Sequence, residues 1–98
     1  MDEKIKRLRQ LLPQEEILCQ LAEECAELSQ AALKLRRTMD GTNPAPVTKE
    51  EAWQNFIEEF SDVIGCIKVL RIPSKYNKVK EINEYKFERW IRRLEARE

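Results

Sequence analysis

Apolar residues recur along this chain at steps of three and four positions, and no stretch shows the strict alternation of apolar and polar residues that predicts strands. Only two glycines are present, and Leu, Ile, Ala, Glu, Lys and Arg, most of them strong helix formers, are spread evenly. The helical pattern is interrupted at Pro13, in the segment 39–47 with Gly41 and two prolines, and at Pro73. The sequence therefore predicts an all-α fold with four helices.

The predicted helices cover about 3–12, about 14–38, the residues from Thr48 to near Arg71, and a last stretch that begins between Ser74 and Lys78. Thr48 and Glu51 have the spacing of a capping box, in which both side chains satisfy free amides at a helix start. A chain of 98 residues is too short to divide its apolar residues between two cores, so one domain over 1–98 is expected.

The second and third helices show the same apolar heptad stripe, displaced by 35 residues. A connection of about ten residues makes consecutive helices antiparallel neighbours, so we expect the two stripes to pack together. Ile57 and Ile64 widen the face of the third helix beyond what one partner helix covers, which predicts self-association. The predicted stripes are Leu18, Leu21, Cys25, Leu28, Ala32 and Leu35, and Trp53, Phe56, Phe60, Val63, Ile67 and Leu70.

The same displacement of 35 residues relates two pairs of acidic residues. The segments 14–33 and 50–67, which carry them, contain no Lys or Arg. Because like flanks meet across an antiparallel seam, we expect the four carboxylates to converge. A carboxylate cluster suits a hard divalent cation, Mg²⁺ first and Mn²⁺ second, while the alternative is a solvated acidic flank of an amphipathic bundle. The pairs are Glu24 with Glu27 and Glu59 with Asp62.

Composition restricts the remaining chemistry. The chain has no His, which excludes imidazole bases and His-ligated zinc. Cys19, Cys25 and Cys66 lie in apolar stretches and form no C-x-x-C pair, which predicts buried, reduced thiols in a cytoplasmic protein. No apolar run approaches the roughly 20 residues of a membrane span, so no membrane partner is expected. With 18 Lys and Arg against 18 Asp and Glu, no nucleic acid partner is expected either.

The segments LAEECAEL at 21–28 and EEFSDV at 58–63 resemble the E-E-x-x-E and E-x-x-D signature of the MazG-like, all-α nucleoside triphosphate pyrophosphohydrolases. The resemblance covers the second to fourth helices. It implies that water attacks the α-phosphorus of a nucleoside triphosphate and that a monophosphate and pyrophosphate leave. It also implies a homodimer or a dimer of dimers with sites built from four-helix bundles. The Mg²⁺ ligands that it implies are Glu24, Glu27, Glu59 and Asp62.

Within that mechanism, Glu24 and Glu27 are the catalytic candidates, with Glu27 toward the rim as acceptor of the water's proton. Lys34, two turns farther along the same flank, is expected to meet a phosphate as a point charge. The last helix offers three further substrate-binding candidates around Trp90, from the same or a neighbouring subunit: Lys86, Arg89 and Arg93. The alternatives are a solvated Lys34 and a Trp90 that anchors the core.

Two other functions stay open on the sequence alone. The protein could be a non-catalytic helical interaction module whose acidic seam binds a basic partner. It could also be a related pyrophosphohydrolase that acts on phosphoribosyl-ATP, which uses similar carboxylate helices.

Overall fold

The computed structural model describes residues 2–42 and 47–97, and all regular elements in these ranges are helical. No strand is present in this part of the chain, so the predicted all-α fold is confirmed. None of the described helices is long and apolar enough to cross a membrane. The elements are α1 (Glu3–Leu11), α2 (Gln14–Asp40), α3 (Lys49–Val69), a 3₁₀ turn (Ser74–Tyr76) and α4 (Val79–Glu95).

The helix ends follow local capping chemistry. The Thr48 hydroxyl accepts a hydrogen bond from the Glu51 amide at 3.1 Å, as the capping box predicts. Gly41, with a φ of 72°, is the left-handed cap that ends α2 two residues later than predicted. At its C-terminal end α3 is shorter than predicted and finishes at Val69. Of the predicted connection, residues 43–46 lie outside the described ranges.

The helices α2 and α3 form an antiparallel hairpin. The Gln14 side chain, at the start of α2, donates to the Arg71 carbonyl at 2.8 Å and accepts from the Arg71 amide at 3.1 Å, just beyond the end of α3. The seam between the two helices keeps the displacement of 35 residues. It is formed by Ile17, Leu21, Glu24, Leu28, Ala31 and Leu35 of α2 and by Ala52, Phe56, Glu59, Val63, Cys66 and Leu70 of α3.

The predicted phase of this seam is wrong. Leu18 and Phe60, which the prediction placed in the seam, are 49% and 46% exposed, whereas Ile17 and Ala52 are buried. At 100° per residue, the observed seam is rotated by about 50° around each helix relative to the predicted stripe. Glu24 and Glu59 consequently lie within the seam and not on its flank.

The predicted burial of the thiols is wrong for Cys19 and Cys25, which are exposed, while Cys66 is partly buried. Cys25 belonged to the predicted stripe and the rotation of the seam leaves it outside, whereas Cys19 lies on the outer side of α2. The alternative role of Trp90 as a core anchor is not found either. Trp90 is 61% exposed and anchors no core within the described chain.

α1 lies across the end of α3, and hydrogen bonds from Arg9 hold it there. Its guanidinium donates from Nε to the Val69 carbonyl at 2.8 Å and from Nη2 to the Lys68 carbonyl at 3.2 Å. These carbonyls end the helix and carry partial negative charge, so a cation stabilises them. The contact holds α1 over one face of the hairpin, beside the acidic residues.

α4 projects from the rest of the molecule. None of its residues is buried. The radius of gyration of the chain is 17.4 Å, whereas a compact domain of this length has about 13 Å. The α2–α3 hairpin and α1 therefore form the core, and α4 adds nothing to it within one chain.

Candidate metal centre

Three carboxylates meet at the seam between α2 and α3. Glu24 and Glu27, one helical turn apart on α2, face Glu59 on α3, and one oxygen from each side chain lies within 4.8 Å of the others. We call these three residues the acidic cluster. The convergence that the sequence predicted is confirmed for these three of the four acids.

Two oxygens of the acidic cluster are buried and have no hydrogen-bond partner among the described residues. They are Oε2 of Glu24 and Oε2 of Glu59. The other oxygen of Glu24 accepts a hydrogen bond from Nε2 of Gln20 at 2.6 Å, so Gln20 fixes the orientation of this carboxylate. A buried carboxylate oxygen without a partner is costly, and a bound cation is the partner that three neighbouring acids would share.

The electrostatics of Glu59 agree with this geometry. Burial raises the pKa of Glu59 above its ordinary value, and the adjacent Glu27 carboxyl raises it further, both by hydrogen bonding to the protonated form and by its charge. The charges of Asp62 and Glu24 add smaller increases. Without a cation, the folded protein therefore holds a proton on Glu59 more strongly than the unfolded chain does.

Asp62 lies next to the acidic cluster but is not one of the three converging carboxylates. Burial raises the pKa of the Cys66 thiol, and the nearby charges of Glu24 and Asp62 raise it further. A thiol with a raised pKa stays protonated at neutral pH and is a poor nucleophile and metal ligand. Oxygen atoms are thus the donors that this site offers.

A cleft of about 320 Å³ adjoins the acidic cluster between α1 and the hairpin. Glu24 and Asp62 form part of its wall, and most of the remaining wall is apolar. Its volume falls at the lower end of the range for small-molecule sites. The lining residues are Leu8, Leu12, Ile17, Gln20, Glu24, Ser61, Asp62, Gly65, Cys66 and Val69.

The predicted cations are not brought to the acids within one chain. Lys34 is exposed on α2, and Lys86, Arg89 and Arg93 lie on the projecting α4. The guanidinium of Arg89 lies 5.9 Å from the centre of the Tyr85 ring. Among the described residues, no hydrogen bond or ion pair joins any of these four side chains to the acidic cluster.

Gln20 and Gly65 belong to the site but are not among the predicted site residues. Gln20 precedes Glu24 by four residues, and side chains at this spacing are neighbours on a helix. The sequence therefore contained a signal for this hydrogen bond. Gly65 lies in the interior of α3, and a Cβ at this position would meet no atom within 4 Å. Its lack of a side chain leaves the cleft open.

The acidic cluster fits a hard divalent cation. Ligand oxygens of an octahedral Mg²⁺ lie about 3 to 4 Å from one another, so oxygens within 4.8 Å need only small side-chain rotations to bind one ion. Carboxylate oxygens with no imidazole or thiolate among them favour Mg²⁺ or Mn²⁺ over Zn²⁺.

Comparisons of the chain with protein-family models, with curated proteins and with solved structures found no match. The resemblance of the two acidic motifs to the MazG-like enzymes therefore stays a hypothesis for this chain.

Proposed function

We propose that the protein is a Mg²⁺-dependent nucleoside triphosphate pyrophosphohydrolase of the MazG-like type, with Mn²⁺ as a possible substitute. The observation that carries the proposal is the pair of buried, unpartnered oxygens on Glu24 and Glu59, inside a helical seam and within one group of three carboxylates. Packing alone gives no reason to bury two carboxylates against each other, whereas a metal centre does.

We assign the roles of these residues according to their exposure. A bound Mg²⁺ supplies neutralisation of phosphate charge and polarisation of a water molecule. Glu24 and Glu59 are the ligands from the seam, and Gln20 holds Glu24 in place. Glu27 is exposed and stands at the rim, where a carboxylate can accept the proton of the attacking water. Asp62, the fourth acid, lines the cleft and is the proposed Mg²⁺ ligand on that side of the site.

The cleft beside the acidic cluster suits the nucleoside part of the substrate. Its apolar wall can cover a nucleobase, while Glu24 and Asp62 lie toward the cation that the phosphates require. The phosphates carry negative charge that the cluster cannot neutralise, and Lys34 and the cations of α4 are the candidates for this role. We place the enzyme in the cytoplasm, as a homodimer or a dimer of dimers whose helices form four-helix bundles.

The test is hydrolysis of a panel of nucleoside and deoxynucleoside triphosphates with Mg²⁺, with pyrophosphate release as the readout. Glu59→Gln removes the charge of a seam ligand and keeps its shape. We expect it to lower turnover by at least about 100-fold, since the loss of even a residue that only supports a ligand costs 10- to 100-fold. Glu58→Gln makes the same chemical change one position away on an exposed side chain and should retain the parent activity.

Binding of Mg²⁺, measured by calorimetry, separates the site from its substrate. Binding by the parent and by Glu58→Gln, with loss in Glu59→Gln, supports the metal centre whichever compound is hydrolysed. If the protein hydrolysed only phosphoribosyl-ATP, the proposed substrate would be wrong but the proposed metal site would stand. Equal Mg²⁺ affinity in the parent and Glu59→Gln would contradict the proposal and favour a non-catalytic interaction module.

A further inference from the structure

Gly65 lies on the wall of the cleft, at a point of α3 where a glycine has no local role. It is in the interior of the helix, and the one glycine of the described chain with a positive φ is Gly41. A Cβ at position 65 would meet no atom within 4 Å, so packing does not exclude a side chain. A glycine in a helix interior also destabilises the helix relative to alanine. The feature of Gly65 that remains is its place in the cleft.

The open surface at Gly65 lies beside the metal site. Asp62, Gly65 and Val69 follow one another at steps of three and four residues, so they share one side of α3, and all three line the cleft. One helical turn, about 5 Å, separates Gly65 from Asp62. A ligand whose phosphates are bound by a cation at the acidic cluster can therefore extend into the cleft across Gly65.

The other side of the cleft is formed by α1. Leu8 and Leu12, the C-cap of this helix, line the cleft, and each is 41% exposed. The hydrogen bonds from Arg9 to the end of α3 hold the two leucines over the hairpin. A flat ring in the cleft would have leucine side chains on the α1 side and the helix backbone at Gly65 on the α3 side. It would bury apolar surface there, which favours binding.

We propose that Gly65 determines the base specificity of the cleft by leaving room for the double ring of a purine, and that the substrates are purine nucleoside triphosphates. The inference rests on the proposed function, since it names the substrate class of the same site. It gives a role to a residue that is neither a metal ligand nor a catalytic group.

The cleft is suited to recognise a base by its size and not by its hydrogen bonds. Apart from the acids and the Cys66 thiol, its polar side chains are Gln20 and Ser61. The Nε2 of Gln20 already donates to Glu24. A mostly apolar wall binds a larger ring more tightly, because more apolar surface leaves water. We therefore expect purines to be preferred over pyrimidines, with little difference between adenine and guanine.

The volume of the cleft makes this selection sensitive to Gly65. At about 320 Å³, the cleft lies at the lower end of the range for small-molecule sites, so it holds a base and little more. A side chain at position 65 would take a share of this space. The double ring of a purine would lose its place first, whereas the single ring of a pyrimidine needs less room.

Hydrolysis of ATP, GTP, CTP and UTP, and of their deoxy counterparts, tests the inference. The readout is the ratio of kcat/KM for purines to kcat/KM for pyrimidines, in which effects on the triphosphate and on Mg²⁺ cancel. We expect a ratio of at least about 10 for the parent, since one methylene in an apolar pocket already changes kcat/KM by about 10- to 200-fold. Gly65→Leu should lower the ratio by about 10-fold through the KM of the purines, and Gly65→Ala should lower it less.

Lys68→Leu is the matched control. Lys68 is exposed on α3, one turn beyond Gly65, and is not part of the cleft wall. The substitution places the same side chain on the same helix without narrowing the cleft, so the ratio should equal that of the parent. Leucine is a strong helix former, and the helical content of both leucine variants by circular dichroism should match that of the parent.

Calorimetry separates the inference from the catalytic proposal. The probes are the α,β-imido analogues of ATP and CTP with Mg²⁺, which resist cleavage between the α- and β-phosphates. The parent should bind the ATP analogue at least about 10-fold more tightly than the CTP analogue, and Gly65→Leu should lose most of this preference. Binding of Mg²⁺ alone should be equal in the parent and in Gly65→Leu, because the acidic cluster is unchanged.

The outcomes distinguish the two proposals. A purine preference in binding without any hydrolysis would contradict the pyrophosphohydrolase and support the role of Gly65. Hydrolysis with no purine preference, or with a preference that Gly65→Leu leaves unchanged, would overturn the role of Gly65 and leave the pyrophosphohydrolase standing. Weaker Mg²⁺ binding in Gly65→Leu would assign its effect to the metal site and also overturn that role. A parent that binds neither analogue would overturn both.

Discussion

Glu24 and Glu59 occupy positions of the α2–α3 seam that a helical hairpin ordinarily gives to apolar side chains. Each has a buried oxygen that no group among the described residues satisfies. Such an arrangement is expected to lower the stability of the metal-free protein, because the charges repel and are partly removed from water. The metal site proposed above rests on this feature.

The pH dependence of stability should reveal this strain at Glu59. Its pKa is raised in the folded state, so the folded protein binds more protons than the unfolded chain between the ordinary pKa of about 4.3 and the raised value. The free energy of unfolding should therefore fall as the pH rises through this window, and the penalty should be absent below it. Urea unfolding with EDTA, from about pH 4 to about pH 7, measures the effect.

Glu59→Gln cannot titrate at this position, so we expect its free energy of unfolding to fall less over the same range. Glu58→Gln changes the net charge equally at an exposed position and should keep the slope of the parent protein. If all three proteins showed one slope, the burial of Glu59 would not control its titration, and its place in the acidic cluster would be wrong.

At the scale of elements, periodicity and capping signals were sufficient to predict the four helices. Pro13, Gly41 and Thr48 each act locally, so the sequence beside them already contains the information for a helix end. The displacement of 35 residues between α2 and α3 is also found in the structure. Both helices are rotated by the same angle relative to the prediction, so corresponding residues remain 35 positions apart.

The phase of the seam could not be predicted in the same way. A stripe chosen for apolar residues must leave out Glu24 and Glu59, and it recruits Leu18 and Phe60 in their place. The apolar residues of α3 lie both in the seam and on an exposed side of the helix that includes Trp53 and Ile57, and the pattern of one chain does not separate the two sides. The carboxylates could be found from their spacing, but their burial depends on how the two helices rotate against each other.

Two glycines should respond in opposite directions to the same substitution. Gly65→Ala should raise the free energy of unfolding by about 0.5–1 kcal/mol, because alanine favours the interior of a helix and a Cβ meets no atom within 4 Å. Gly41→Ala should lower it by about 1 kcal/mol, because φ is 72° at that position. Urea titrations of both variants measure the difference.

Opposite signs would confirm that α3 keeps Gly65 without any steric need and at some cost to its own stability. A destabilising Gly65→Ala would instead mean that the helix interior at this point does not tolerate a methyl group. The cleft wall would then be closed, and the place proposed for the nucleoside would be lost.

At the scale of the whole molecule, the acids and the cations of this chain are separated. The acidic cluster lies in the hairpin, whereas the excess of Lys and Arg lies from residue 75 onward, around a helix that buries nothing. The core of one chain is small, since only six apolar residues of the described chain are buried. The proposed homodimer would supply part of its stability.

The thermal midpoint should therefore depend on protein concentration. Unfolding of a dimer releases two chains, so a tenfold increase in concentration adds about 1.4 kcal/mol to its free energy, which raises the midpoint by about 3 °C for two chains of this length. Differential scanning calorimetry over a hundredfold range of concentration measures the shift. A parent midpoint independent of concentration would contradict the proposed homodimer and show that one chain is stable as it stands.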